Sequence, residues 1–234
     1  MKNNFNNKTL LFLTLNKFTL IVLNEFNKVI FKKELLLKVS SEKFNFELLD
    51  NFINQNIFKI EKELNEFIKI IILIIDHNDI FPVNLSIKNK INDAILNNNL
   101  INNLLIEAKS CCEETLKKVN VMHMKIDLFY IDNNIYKTLP DKIRFKNLSV
   151  DLSFICIPNN FLQNLEKVLN KYQISLGKVL SYKYLNSFID LANNELGLVS
   201  KKILHGFNEN EVIFTHKRSK NLGFFEKFFN FLIN

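Results

Sequence analysis

Glycine is scarce: there are four in 234 residues, Gly177, Gly197, Gly206 and Gly223, and no two are spaced as G-x-G. Loops that cradle phosphate need glycine, because the backbone approaches the anion closely and often with positive φ. A Walker loop and a dinucleotide fingerprint are therefore absent, which excludes most nucleotide-dependent enzyme classes. Arginine is almost missing as well, with only Arg144 and Arg218. Nucleic-acid readers favour arginine for bidentate contacts, so the net charge of +7, carried by scattered lysines, reads as solvated surface and no nucleic-acid partner is expected. Tryptophan is absent, and Lys, Asn, Ile, Phe and Leu dominate, the bias of an A+T-rich coding sequence.

Three cysteines, Cys111, Cys112 and Cys156, form no disulfide framework and fit a reducing cytoplasm. Cys111 has no basic partner in sequence and reads as a helix cysteine. The four histidines, His77, His123, His205 and His216, have no metal-ligand spacing; His123, between Met122 and Met124, reads as a packed or half-exposed side chain. Asp76 and Asp79 flank His77 in what reads as a solvated loop. No catalytic residue, metal site or cofactor is expected. The apolar start Met1–Leu15 is broken by Asn16 and Lys17 and lacks a small-residue cleavage site, and Phe67–Ile75 is too short to span a bilayer.

What is present is a folded composition, 47% apolar and 24% charged, with strong local periodicity. Leu10–Leu15 and Phe18–Leu23 read as a hairpin, Val29–Leu37 as a third strand, Phe46–Ile68 as a helix and Ile70–Ile75 as a buried strand. Residues 1–80 thus read β-β-β-α-β. Pro82 marks a boundary. Beyond it come a short strand at Val83–Ile87, a helix at Ile95–Val119, and strands at Val121–Ile131 and Leu148–Ile157. Pro158 stops the last of these, and a helix at Phe161–Tyr172 and a strand at Ile174–Leu180 follow. Residues 81–190 thus read as an α+β unit, β-α-β-β-α-β. Residues 191–219 hold a weak helix at Leu191–Leu204, a possible strand at Glu211–Thr215 and a basic linker.

Residues 220–234 change character. On a helix of 100° per residue, Leu222, Phe224, Phe225, Phe228, Phe229 and Leu232 cover one wide side, and Lys217, Arg218 and Lys220 stand at its approach. Such a helix, about 20 Å long, suits the membrane interface. The alternative is a helix docked on the protein's own core.

These parts, in this order, resemble FtsA, the bacterial actin-like cell-division family. The segment from Val121 to Asp132 is similar to that family's "I-H…Y-x-I/V-D" strand. Leu152–Asn160 and Leu162–Leu180 resemble the strand, helix and strand that follow, and Gly223–Phe229 resembles its membrane-targeting helix. The resemblance implies a partial actin-like (ribonuclease H-like) subdomain carrying an inserted α+β module. It implies a non-catalytic adaptor on the cytoplasmic face of the inner membrane, with division-complex proteins as partners and self-association possible. The family's glycine-containing phosphate hairpin falls here on Leu15-Asn16-Lys17-Phe18, without glycine. From Tyr184 onward about fifty residues remain, too few for the family's second half. A pilus-platform scaffold of the same actin-like plan, and an unrelated binding domain with a self-docked tail, are the alternatives.

Overall fold

The structure, a computed structural model, describes residues 7–37, 44–140, 143–188, 206 and 208–213. The C-terminal helix expected over residues 220–234, and the weak helix expected at Leu191–Leu204, lie outside the described residues.

The first sheet starts from a hairpin. Strand β1 (Lys8–Leu13) pairs antiparallel with β2 (Lys17–Leu23), and β2 with β3 (Val29–Leu36). The β2–β3 turn closes on Asn24, whose side chain accepts from the N–H groups of Phe26 and Lys28, while Asn27 takes a left-handed φ of 61°. Helix α1 (Phe46–Leu64) is capped at its start by Asn45, which accepts from Leu48 N–H at 2.8 Å. Asn65 ends it at φ 50°. Its buried face, Leu49, Phe52, Ile53, Ile57 and Ile60, covers one side of the sheet. Strand β4 (Ile70–Ile75) then lies parallel to β1, with Leu11 opposite Leu73.

From β4 the chain leaves this sheet. Strand β5 (Phe81–Ile95), helix α2 (Asn98–Leu116), and strands β6 (Val119–Ile131), β7 (Asn134–Tyr136) and β8 (Arg144–Pro158) form a second, antiparallel sheet in the order β5-β8-β6-β7. Alternate residues of β8, Leu148, Val150, Leu152, Phe154 and Cys156, are buried in one cluster with Ile101, Leu104, Leu105, Ala108 and Cys112 of α2. The intervening Asp151 and Ser153 face away and bond to Ser86 and Asn84 of β5.

Helix α3 (Asn159–Asn170) and strand β9 (Ser175–Ser181) then return to the first sheet. β9 pairs parallel with β4, and Leu165, Val168 and Leu169 of α3 share a core with Leu49, Ile53 and Ile60 of α1. The first sheet therefore runs β3-β2-β1-β4-β9, one antiparallel meander followed by parallel strands with two helices on one face. That is the ribonuclease H-like plan of an actin-like subdomain, and the fold is α+β.

The sequence reading grouped Phe161–Leu180 with the inserted module. The structure corrects this: the module is β-α-β-β-β, and the first body is β-β-β-α-β-α-β. Two further corrections concern strands. The expected short strand at Val83–Ile87 is a 15-residue edge strand, and it includes Pro82. An edge tolerates proline, whose missing N–H is not required by a second neighbour. β7 and the short helix α4 (Tyr182–Asn186) were not foreseen.

Candidate functional site

Two places carry the features that the sequence singles out: the β1–β2 hairpin, and the junction between the two sheets. At the hairpin, Thr14 N–H donates to Lys17 O at 3.0 Å, and the Thr14 hydroxyl lies within bonding distance of Asn16 Oδ1 and Lys17 O. None of Thr14, Leu15, Asn16 and Lys17 has a positive φ. The turn therefore uses its own polar groups to close itself. The Lys17 ammonium is held by Glu34 at 3.1 Å.

At the junction, the edge of β6 faces the edge of β9 across a groove of about 320 Å³. Asn120 and Met122 line one side, Leu162 and Glu166 of α3 the floor, and Gly177 and Lys178 the other side. Gly177 is required by this geometry. Two residues, Gly177 and Lys178, stand opposite Ile72 alone, a bulge in the β4–β9 ladder. A Cβ at 177 would sit 2.8 Å from Ile70 Cγ2 and 3.1 Å from Ile71 O.

One end of the groove is closed by a buried polar chain. Ser181 N–H donates to His123 Nε2 at 3.0 Å, so the neutral ring carries its proton on Nδ1, which bonds Glu211 Oε1 at 2.7 Å. The Tyr184 hydroxyl donates to Glu211 Oε2 at 2.9 Å and accepts from Asn208 Nδ2 at 2.8 Å. The His123 and Tyr184 rings lie 4.1 Å apart, centre to centre. Burial, and then the charge of Glu211, push the Tyr184 phenol well above its ordinary range. The backbone around Glu211 extends β6: Ile126 N–H donates to Asn210 O, and Val212 N–H to Met124 O, each at 2.8 Å. The strand expected at Glu211–Thr215 is thus a bridge at Glu211 opposite Lys125, and its residues beyond Ile213 lie outside the described set. This one chain ties together the module (His123), the first sheet (Ser181, Tyr184) and the segment 208–213.

Of the other reactive groups, His77, Cys112 and Cys156 are packed in the interior. His77 is buried between the rings of Phe44 and Phe161, with Nδ1 accepting from Asp79 N–H at 3.2 Å. Cys112 and Cys156 approach to 4.0 Å in the module core; burial raises both thiols, Cys156 to about 12. Cys111 is exposed on α2. Among the described residues no group of three or more His, Cys, Asp or Glu side chains is arranged to hold a metal ion, and no helix is long and apolar enough to cross a membrane. Lys217, Arg218, Lys220, Leu222, Phe224, Phe225, Phe228, Phe229 and Leu232, the membrane-binding residues expected from sequence, all lie outside the described residues. Sequence reasoning missed the groove and the Glu211 partner of His123; the one available signal was His123 inside an otherwise apolar strand-like run, since Glu211 follows the polar Asn208-Glu209-Asn210.

No protein-family model matches the chain, and no curated protein does. Several solved structures are similar to it. The cytoplasmic domain of EpsL, an inner membrane component of the type II secretion system of Vibrio cholerae, is 12% identical with a TM-score of 0.34, over 75% of this chain and 56% of that one. The PilM-PilN type IV pilus biogenesis complex gives 6% identity and a TM-score of 0.47, over 77% and 49%. A Bacteroides thetaiotaomicron protein with an actin-like ATPase fold and unknown function gives 11% and 0.35, over 78% and 55%. The chain spans about half the length of the solved structures it matches.

Proposed function

We propose that this chain is a non-catalytic, actin-like adaptor that holds a protein partner at the cytoplasmic face of the inner membrane. The observation that carries the reading is the junction groove. Among the described residues β9 ends the first sheet, and the stretch of β6 before Met124 lies across the groove from it, with Val212 and Ile213 beside them, so a partner segment can pair along β9. The bulge at Gly177 and the chain from Ser181 through His123 to Glu211 hold the two edges at a fixed separation, so the groove is preformed. The self-closed β1–β2 turn supports binding without nucleotide turnover. In the finer reading, the partner is a bacterial division-complex protein, and the chain reaches the membrane through Lys217, Arg218, Lys220 and the Phe-rich residues that follow.

A photo-crosslinking residue at Lys178, in the groove, tests this in the living cell, with Glu25 on the β2–β3 turn as the control. A specific adduct at position 178, absent at 25, with a division-complex protein is the expected result. An adduct with a pilus or secretion component would replace the division reading with the platform-scaffold one. No adduct at 178 in any growth phase would contradict the groove as a partner site.

A further inference from the structure

Strand β3 ends the first sheet among the described residues, and it is unusually apolar for an outer strand: Val29, Ile30 and Leu36 are 45%, 42% and 79% exposed. Its free edge has a definite polarity. Leu37 N–H donates to Asn16 O at 2.8 Å, continuing the register in which Leu36 faces Lys17. Hydrogen-bonding direction alternates along an antiparallel strand. The backbone groups of Leu35 and Lys33 therefore point toward β2, and those of Leu36, Glu34 and Lys32 point outward, unpaired by the sheet.

We infer that β3 pairs antiparallel with β3 of a second copy, about a two-fold axis at Lys33. An isologous pair must bring outward-pointing residues together, which leaves three registers near the strand centre. An axis at Lys32 opposes two lysines in a bonded pair, and an axis at Glu34 opposes two glutamates. Like charges directly opposite are unfavourable. An axis at Lys33 sets Lys32 of each copy opposite Glu34 of the other, twice over. It also brings Val29 and Ile30 at the start of one strand to Leu36 at the end of the other, covering the exposed apolar residues at both ends. Glu34 is already positioned for this, held by Lys17 at 3.1 Å and Lys32 at 3.2 Å on the same side of the strand. The one unfavourable contact is Lys33 against Lys33, on the axis. The two sheets then continue as one, and the edge that would otherwise template aggregation is closed by symmetry.

The register gives a sharp test on the full chain, carried out with Cys111→Ser so that the exposed native thiol is removed. In the proposed pair, residue 33 faces its own copy with Cα atoms about 4.5 Å apart, within disulfide range. Mild oxidation of Lys33→Cys should give a covalent dimer. Lys32→Cys and Glu34→Cys should each give no covalent dimer alone and cross-link when mixed. Sedimentation should show a concentration-dependent dimer that Lys32→Glu weakens roughly tenfold, since two opposite-charge pairs become like-charge pairs. A monomer at all concentrations with no disulfide at 33 would overturn the proposal, as would a disulfide formed by Lys32→Cys alone. All three sites are exposed, so folding of the variants, checked by circular dichroism, is expected to be intact.

Discussion

His123 and Glu211, 88 residues apart in sequence, share a 2.7 Å hydrogen bond between two nearly buried side chains. The bond spans the inserted module and the segment that leads toward the C-terminus, and Ser181 fixes the other ring nitrogen. Removing the ring leaves a buried carboxylate with one fewer donor and an N–H group without an acceptor. His123→Ala should therefore lower stability by about 3 kcal/mol in urea unfolding. Glu211→Gln, which keeps an acceptor for the ring, should lose less. Equal losses from the two variants would mean that the pair is packing alone.

Gly177 should tolerate no side chain. In Gly177→Ala the new methyl meets Ile70 Cγ2 at 2.8 Å and a backbone oxygen at 3.1 Å. The expected loss is about 1–3 kcal/mol, as for other overpacked sites. Adding Ile70→Ala should restore part of it, because Ile70 is exposed and its methyl is the nearer obstacle. A neutral Gly177→Ala would show that the β4–β9 bulge can shift freely.

The contact between α1 and the end of α3 makes stability depend on pH at both extremes. Lys171, and then Tyr172, hold the Asp50 carboxyl below its usual range. Its contribution is present above the ordinary carboxylate pKa of about 3.9 and is lost as pH falls through the lower folded value. Burial, and then the hydrogen bond to Asp50, push the Tyr172 phenol up to about 12. Its contribution is present below the ordinary value of about 10 and is lost as pH rises toward the folded one. Thermal melts of Tyr172→Phe should show a shallower alkaline slope between these values, the remainder coming from the buried Tyr184, Cys112 and Cys156, and a shallower acid one. An unchanged alkaline slope would assign that titration elsewhere.

Much of the first sheet was legible because its signals are local. The apolar runs at Leu10–Leu15, Phe18–Leu23 and Ile70–Ile75, and the helical spacing from Phe46, need only neighbouring residues to be read. Sheet membership is not local. α3 and β9 follow the module in sequence, and only the pairing of Val179 with Leu73 assigns them to the first sheet. The length of β5 was hidden by Lys88-Asn89-Lys90, which reads as loop yet suits an exposed edge. The junction site was hidden by distance: His123 is intelligible only with Ser181 and Glu211 beside it. Gly177 was only one of four scattered glycines in the sequence, and its role, a close approach to β4, needs the pairing of β9 to be seen.

The tail gives a prediction of its own. Each buried phenylalanine contributes roughly 1.5–3 kcal/mol, and each nearby basic residue on the order of 1 kcal/mol on anionic lipid. Phe225→Glu with Phe228→Glu should abolish flotation of the protein with anionic liposomes. Neutralising Lys217, Arg218 and Lys220 should weaken it mainly at low salt, where their attraction is not already screened. A wild-type protein that fails to float, or a double variant that unfolds without losing lipid binding, would make residues 220–234 a core helix.

The proposed adaptor binds partners without using nucleotide, and titration calorimetry of the full chain with Mg-ATP decides whether nucleotide binds. The Thr14 N–H and hydroxyl bond within the Thr14–Lys17 turn, and the turn lacks the glycine that lets a backbone close around phosphate. No saturable heat is expected up to millimolar nucleotide, roughly the upper range of ordinary substrate levels. A saturating isotherm with a micromolar dissociation constant would contradict the claim.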